Sequence, residues 1–309
     1  MGWEWFLALI LLFQQAGHPQ QVKLEHNGHE LAVVRLADYV HPLPGIPLIH
    51  DSRLEELVQA VDKQSAQAPV NASLDSAGRI VPERQGSRLD RLSLLQQVHG
   101  LIYEGGAERL ELPMRPVYAT VDSELMAAIK VKRVGQYLTY YNSNNQNRSH
   151  NIALAAKAIN NYVVFPGESF SFNKVVGKRT VKSGYKRAPV IVRGEVYEDI
   201  GGGICQVSST LFNAVDRAGL SIVERYSHSR HVPYVPPKRD ATVSWDGPDF
   251  VFRNDYKQPV LIRAYAGAGQ VSISVCSSEL IELKPREVPR ASKELPKEIS
   301  LERNVNSMP

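Results

Sequence analysis

Three consecutive glycines, Gly201-Gly202-Gly203, run directly into Ile204-Cys205-Gln206-Val207-Ser208-Ser209-Thr210-Leu211. Neither a strand nor a helix tolerates such a run in its interior, because each glycine forfeits the most backbone entropy on ordering. The chain must therefore turn here. Val207, Leu211, Ala214 and Ala218 then recur at helical spacing, and Gly219 stands where a helix C-cap belongs. Cys205 thus falls in the first turn of a helix, where unpaired N–H groups and the positive dipole end favour an anion. A thiol so placed loses its proton more readily, and the thiolate is the nucleophile. The glycines leave its approach open and free the backbone amides of Gly202 and Gly203 to face a developing oxyanion. A lone cysteine is otherwise a small core residue. Its place after a glycine turn and at a helix start favours the reactive reading.

The rest of the composition narrows the class. With 309 residues the chain has room for two domains, and 43% hydrophobic against 22% charged residues describes a globular protein. A net charge of +4 suits an anionic surface such as a cell wall and is too small to argue for nucleic acid. There is no phosphate-binding glycine loop followed by lysine, and no zinc-type Cys/His cluster, so neither a metal nor another cofactor is expected. Cys205 and Cys276 are the two cysteines. A disulfide between them stays open if the protein is exported, although Cys276 closes an alternating strand and reads as a packing residue.

Along the chain, residues 1–16 hold an apolar run, Trp3–Phe13, interrupted by Glu4. Eleven residues fall short of the ~20 that span a bilayer. The run resembles the apolar part of a secretory signal without the usual preceding positive charges. Export to the cell envelope is the expectation, with any membrane attachment through this segment alone. Residues 17–49 read as a polar, proline-bearing linker. Residues 50–118 read as a small α+β accessory domain. Ser52-Arg53-Leu54-Glu55 is a capping box for one helix, Asp90 caps a second that ends at Gly105-Gly106, and a hairpin turns at Ser76-Ala77-Gly78. Residues 119–276 read as a second, strand-rich α+β domain. It has a helix capped by Ser149 and the Cys205 helix, with strands that include Ala241–Trp245 and a hairpin across Gly267-Ala268-Gly269. Residues 277–309 are charged and proline-bearing and read as disordered.

At this point the residues carry a resemblance. Asn151-Ile152, Phe165-Pro166-Gly167-Glu168-Ser169-Phe170-Ser171-Phe172-Asn173, Gly177, Gly184-Tyr185 and Ala188-Pro189 resemble the VanW domain. So do the glycine–cysteine stretch, Glu224-Arg225, His228-Ser229, Tyr234-Val235-Pro236 and Asp240-Ala241-Thr242-Val243. The match runs in order from about residue 134 to 276. Residues 50–115 more weakly resemble the peptidoglycan-binding module found before such domains. Two positions depart from the pattern: Tyr226 stands where a histidine is usual, and Lys238 where glycine is usual.

The resemblance implies a cell-envelope protein of the kind associated with glycopeptide resistance, acting on peptidoglycan stem peptides as a cysteine-dependent L,D-transpeptidase. On that basis Cys205 is the nucleophile and His228 the base. Gln206, Ser208, Arg225, Arg230 and Tyr234 are candidate substrate-binding residues, and Asp240 a support behind the pair. Imidazole is the base a thiol needs near neutrality, and a helix followed by the strand Ser221–Arg225 can fold His228 back beside the glycine turn. Two other classes stay open: a wall-binding module in which Cys205 merely packs, and a cysteine hydrolase in which water resolves the thioester.

Overall fold

The computed structural model describes residues 21–41, 47–192 and 195–295, apart from the side chains of residues 190–196. The apolar run within residues 1–16 and the last part of the charged tail lie outside the described residues. The chain is α+β and divides into two compact units: one runs up to Ala72 and resumes over Val81–Asp122, and the other takes Ser73–Ile80 and everything from Ser123 onward.

The first unit begins with β1 (Gln21–His26) and β2 (His29–Arg35), an antiparallel pair, so this part of the expected linker is sheet. Val22, Leu24 and Val34 supply buried side chains at strand period. Between the strands stands Asn27-Gly28, both with positive φ, the turn chemistry that closes a tight hairpin. Short strands β3 (Val40–His41) and β4 (Leu48–Ile49) pair ahead of α1 (Asp51–Ser65). α1 buries Leu54, Val58 and Val61 as its spacing predicts. Its N-cap is His50 rather than a capping-box serine, and Ser52 Oγ instead meets His50 Nδ1 at 3.1 Å. The hairpin β5 (Ser73–Leu74) and β6 (Ile80–Val81) turns where expected. Residues of that hairpin are tied to the second unit, because the Asn161 amide bonds both the N–H and the C=O of Leu74 (3.1 and 3.0 Å). β7 (Gly86–Leu89) precedes α2 (Arg91–Glu104), which Asp90 caps as expected by accepting from Ser93 N–H. β8 (Arg109–Glu111) runs parallel to β1, and β9 (Met114–Val117) pairs with β7.

The second unit is built on an antiparallel sheet ordered β10-β18-β17-β11. After α3 (Ser123–Ile129), β10 (Lys132–Tyr140) leads to α4 (Gln146–Ile159) and β11 (Tyr162–Val164). The cap of α4 is Asn145, from the asparagine run, and not Ser149, which lies inside the helix and donates back to the Asn145 carbonyl. β12 (Ser169–Ser171) and α5 (Phe172–Val176) precede a two-stranded arm, β13 (Arg187–Val192) with β14 (Glu195–Ile200). The glycine turn then opens α6 (Ile204–Arg217). β15 (Ser221–Glu224) and β16 (Val251–Arg253) join β12 in a second sheet, and β17 (Val260–Gly267) and β18 (Gln270–Ser277) form the expected hairpin.

α6 lies on β10 and β18, and α4 on β17. Val271, Ile273 and Val275 face this layer fully buried. Helix and sheet touch most closely at Gly135, where a Cβ would stand 2.3 Å from the Ala214 carbonyl oxygen. Only glycine fits there.

Two expectations are corrected in this unit. Ala241–Trp245 is not a strand and retains only a bridge between Thr242 and Tyr226, because its backbone is taken up by the side chains of α6. The described part of the tail is ordered against the unit: Ile281 and Val288 are buried, Tyr137 Oη donates to the Pro289 carbonyl (2.9 Å), and Arg286 reaches Asp216 (2.9 Å). Gly219 makes room for it, since a Cβ there would fall 2.1 Å from the Lys284 carbonyl oxygen.

Candidate active site: Cys205, His228 and Asp240

The glycine turn is shaped by what surrounds it. Gly201 (φ +90) and Gly203 (φ +103) sit in the left-handed region that side chains avoid. A Cβ on Gly202 would stand 2.5 Å from the Ala188 carbonyl oxygen, so β13 passes directly against the turn. Fully buried Asn151 locks the two together. Its Nδ2 donates to the Lys186 and Gly202 carbonyls (2.8 and 3.1 Å), and its Oδ1 accepts from Lys186 N–H (2.8 Å). α6 therefore starts without a side-chain cap, on Gly203, with Cys205 in its first turn.

Cys205 is half-buried, with Sγ 3.6 Å from the Val243 carbonyl oxygen and 3.8 Å from Thr242 Oγ1. The His228 ring lies near enough for its charge to act on the thiol. Its Nδ1 lies 2.7 Å from Asp240 Oδ2, which also accepts from the His228 backbone N–H (2.6 Å). The side chains of His228 and Asp240 are only 4% and 8% exposed, so their charges interact with little screening by water.

Titration of the three groups reflects that contact. Burial opposes ionisation of Cys205, but the His228 hydrogen bond and charge outweigh it and hold the thiol below its ordinary value. Burial likewise works against a charged His228, and the bonds to Asp240 and Cys205 overcome it, raising the imidazole to about 9. Asp240 is held down, burial being overcome by the His228 ring and backbone N–H. Each charged form is thus favoured by its neighbour: thiolate and carboxylate by the imidazolium, and the imidazolium by both.

The polar residues after Cys205 hold this geometry from behind. Ser208 Oγ donates to the Ala241 carbonyl, Ala241 N–H donates to Ser209 Oγ (2.9 Å), and Asn213 Nδ2 donates to the Arg239 carbonyl (2.7 Å). One face of α6 thus grips the backbone on either side of Asp240. On the other side Gln206 Nε2 donates to Thr139 Oγ1 and the Tyr140 carbonyl, both at 3.0 Å, and Thr210 bonds Thr139 at 2.8 Å.

These contacts revise the substrate-binding expectations. Gln206 and Ser208 are fully buried and bonded within the fold, so they are structural. Arg225 is engaged too: its guanidinium donates to the Asp240 carbonyl (2.6 Å) and lies over the Phe212 ring. Arg230 and His231 are exposed on the loop beyond His228. Tyr234 is packed against the core of this unit, and burial pushes its pKa up. Lys238 adopts φ 63, which explains why glycine suits that position. Tyr226 is an exposed ring opposite Thr242. Cys205 and Cys276 are free thiols, the latter buried in β18.

Two arginines beside the turn carried no recognisable signal in the sequence. Arg148 packs its stem on Gly203 and donates to Gln206 Oε1 (2.6 Å), and Arg179 packs on Gly201. Arginines on a helix face or in a loop are ordinarily solvated, and only the fold brings these to the glycine turn.

A half-buried thiol at an uncapped helix start, paired with an imidazole that a carboxylate orients, is a Cys–His–Asp constellation on an α+β scaffold. The chain belongs to the VanW family. The family model described as VanW like protein matches residues 147–276. The uncharacterized protein YoaR of Bacillus subtilis (strain 168) is 50% identical over 294 residues, covering 95% of this chain and 97% of that protein. The vancomycin B-type resistance protein VanW of Enterococcus faecalis (strain ATCC 700802 / V583) is 33% identical over 117 residues, 36% of this chain and 42% of that protein. No solved structure matches.

Proposed function

We propose that this protein is an exported cell-envelope acyltransferase, an L,D-transpeptidase that cross-links peptidoglycan stems through a Cys205 thioester. The observation that carries the reading is a His228 ring bonded to Asp240 (2.7 Å) and placed so that its charge lowers the Cys205 thiol. Burial without such partners would leave a thiol protonated and inert. One relative is named for vancomycin resistance, which supports a cell-wall-associated role.

Each step balances. The Cys205 thiolate attacks the carbonyl of the third, diamino residue of a donor tetrapeptide, forming the C–S bond. The C–N bond to D-alanine then breaks, and the imidazolium Nε2 proton passes to the leaving amine. The side-chain amine of an acceptor stem attacks the thioester, His228 takes its proton, and the C–S bond breaks to leave a 3–3 cross-link and restore the thiolate–imidazolium pair. Ile204 and Gln206 spend their N–H groups on the Gly201 and Gly203 carbonyls. The oxyanion is assigned to the amides of Gly203 and Cys205, a contribution of roughly 10²–10³ in rate.

Mass spectrometry of muropeptides after incubating the protein with defined tetrapeptide stems tests this reading. Dimers linked 3–3 that vanish in Cys205→Ala support it. Tripeptide without dimers assigns a hydrolase instead. Binding to sacculi with neither product, and a thiol inert to alkylation near neutral pH, assigns a wall-binding module.

A further inference from the structure

Among the substrate-binding residues expected from the sequence, the cations are Arg225 and Arg230. The fold offers a different cation. Arg179 follows α5, and its stem lies on Gly201, where a Cβ would be 3.2 Å from Arg179 Cβ. Its guanidinium sits over the Phe172 ring (5.9 Å), and Nη2 donates to Asn173 Oδ1 at 2.7 Å. The group is close enough to Cys205 for their charges to interact.

One nitrogen of this guanidinium carries donors that the fold does not use. Nη1 of Arg179 is buried and has no hydrogen-bond partner among the described residues. The nearby carboxylate of Asp249 is already engaged, with one oxygen on the N–H groups of Asn173 (2.9 Å) and Phe250 (2.7 Å) and the other on the Ser171 hydroxyl. A buried guanidinium donor left unmatched is costly, and a carboxylate is the acceptor that its fork matches best. The side chain as a whole is only half-buried, so it is not sealed from solvent.

We infer that Arg179 holds the free C-terminal carboxylate of the donor peptide, so that the site takes peptides cut one residue from their end. The inference rests on the peptide reading of the Cys205 site. The chemistry fits the place, because in a terminal peptide bond the carboxylate lies a single carbon beyond the leaving nitrogen. An anion recognised there must bind near the nucleophile, and Arg179 packs on Gly201 in the turn that leads into Cys205.

The test measures binding of a tetrapeptide stem ending in D-alanine, of its C-terminal amide, and of a stem with lysine replacing a carboxylated diamino residue. The wild type is expected to bind the acid about tenfold to a hundredfold more tightly than the amide, and the lysine stem as well as the acid. Arg179→Gln should make acid and amide equal, and Arg179→Lys should restore part of the preference. Melting curves establish that both variants are folded. Equal affinity of the wild type for acid and amide overturns the inference. So does a preference that survives in folded Arg179→Gln, or one that follows the side-chain carboxylate instead. Alkylation of Cys205 and cross-link products report separately on acyl transfer. A reactive thiol without acid preference refutes only the role of Arg179. An acid preference lost in Arg179→Gln, but with no thioester formed, refutes only the chemistry.

Discussion

Helices α2 and α6 have the same length, 14 residues each, and opposite designs. α2 buries an apolar stripe, Leu94, Val98, Leu101 and Ile102, and its first turn is closed by the Asp90 carboxylate. α6 has no side-chain cap and, beside an apolar stripe that includes Val207 and Leu211, buries Gln206, Ser208, Ser209, Thr210, Asn213 and Asp216. Apolar burial is strong but non-directional, so it holds α2 in place without fixing its rotation closely. The hydrogen bonds of α6 are directional and leave little freedom to rotate or slide. That precision is needed only where a side chain must meet a group carried by another segment, as Cys205 meets His228. The positive end of α2 is spent on its cap, whereas that of α6 is left to the thiol.

The comparison breaks most sharply at the thiol itself. Cys205→Ala is expected to lower cross-link formation by roughly 10³-fold or more while the melting temperature barely moves, because the change removes only one sulfur from a half-buried position. His228→Gln and Asp240→Asn should each cost about 10²–10⁴ in rate. They differ in a second measurement, the pH dependence of Cys205 alkylation. Wild type should react below the ordinary thiol range, whereas His228→Gln should shift the profile upward, since burial then acts on the thiol without its counter-charge. The imidazole's raised pKa contributes stability that is full below pH 6.5 and is lost as pH rises through about 9. The stability gap between wild type and His228→Gln should therefore narrow on going from pH 6 to 10.

How much of this was legible in the sequence follows the same division. Stripes such as that of α2 can be read directly, because their cause is local: spacing, a capping aspartate and a terminal glycine. The position of Cys205 was legible for the same reason. The grip of Ser208, Ser209 and Asn213 on residues 239–241 was not, because it spans some 30 residues and leaves no periodic trace. It also made Ala241–Trp245 look like a strand when the segment spends its backbone on a helix. The Asn27-Gly28 hairpin had a local signal, obscured by the polar residues around it. The tail had none: Ile281 and Val288 are isolated apolar residues that matter only because Gly219 lets the chain pass.

The support behind the thiol should respond next. Gly202→Ala places a methyl 2.5 Å from the Ala188 carbonyl oxygen, and backbone must move to admit it. A loss of about 2–4 kcal/mol by denaturant melting is expected, with activity falling alongside. Gln206→Leu removes three hydrogen bonds, to the Thr139 hydroxyl, the Tyr140 carbonyl and the Arg148 guanidinium, at about 1–3 kcal/mol. If α6 tolerated that change as cheaply as α2 tolerates an apolar swap, the argument that its polar face fixes its position would fail.

The smallest expected effect lies at α2 and sharpens the contrast. Asp90→Ala removes an acceptor from Ser93 N–H and a negative charge from the positive end of the helix, a loss of about 1 kcal/mol. The apolar stripe is untouched, so the first unit should stay folded with a slightly lower melting temperature and no change in Cys205 alkylation. Asn at the same position should recover most of the loss, because its side-chain oxygen still accepts. The reciprocal change cannot be made at α6. An aspartate at position 203 would have to adopt φ near +103, with its Cβ 2.9 Å from Arg148 Cγ, and would bring a carboxylate beside the thiolate it is meant to spare. A scaffold helix accepts a cap at its first turn, whereas the nucleophile's helix is shaped to do without one.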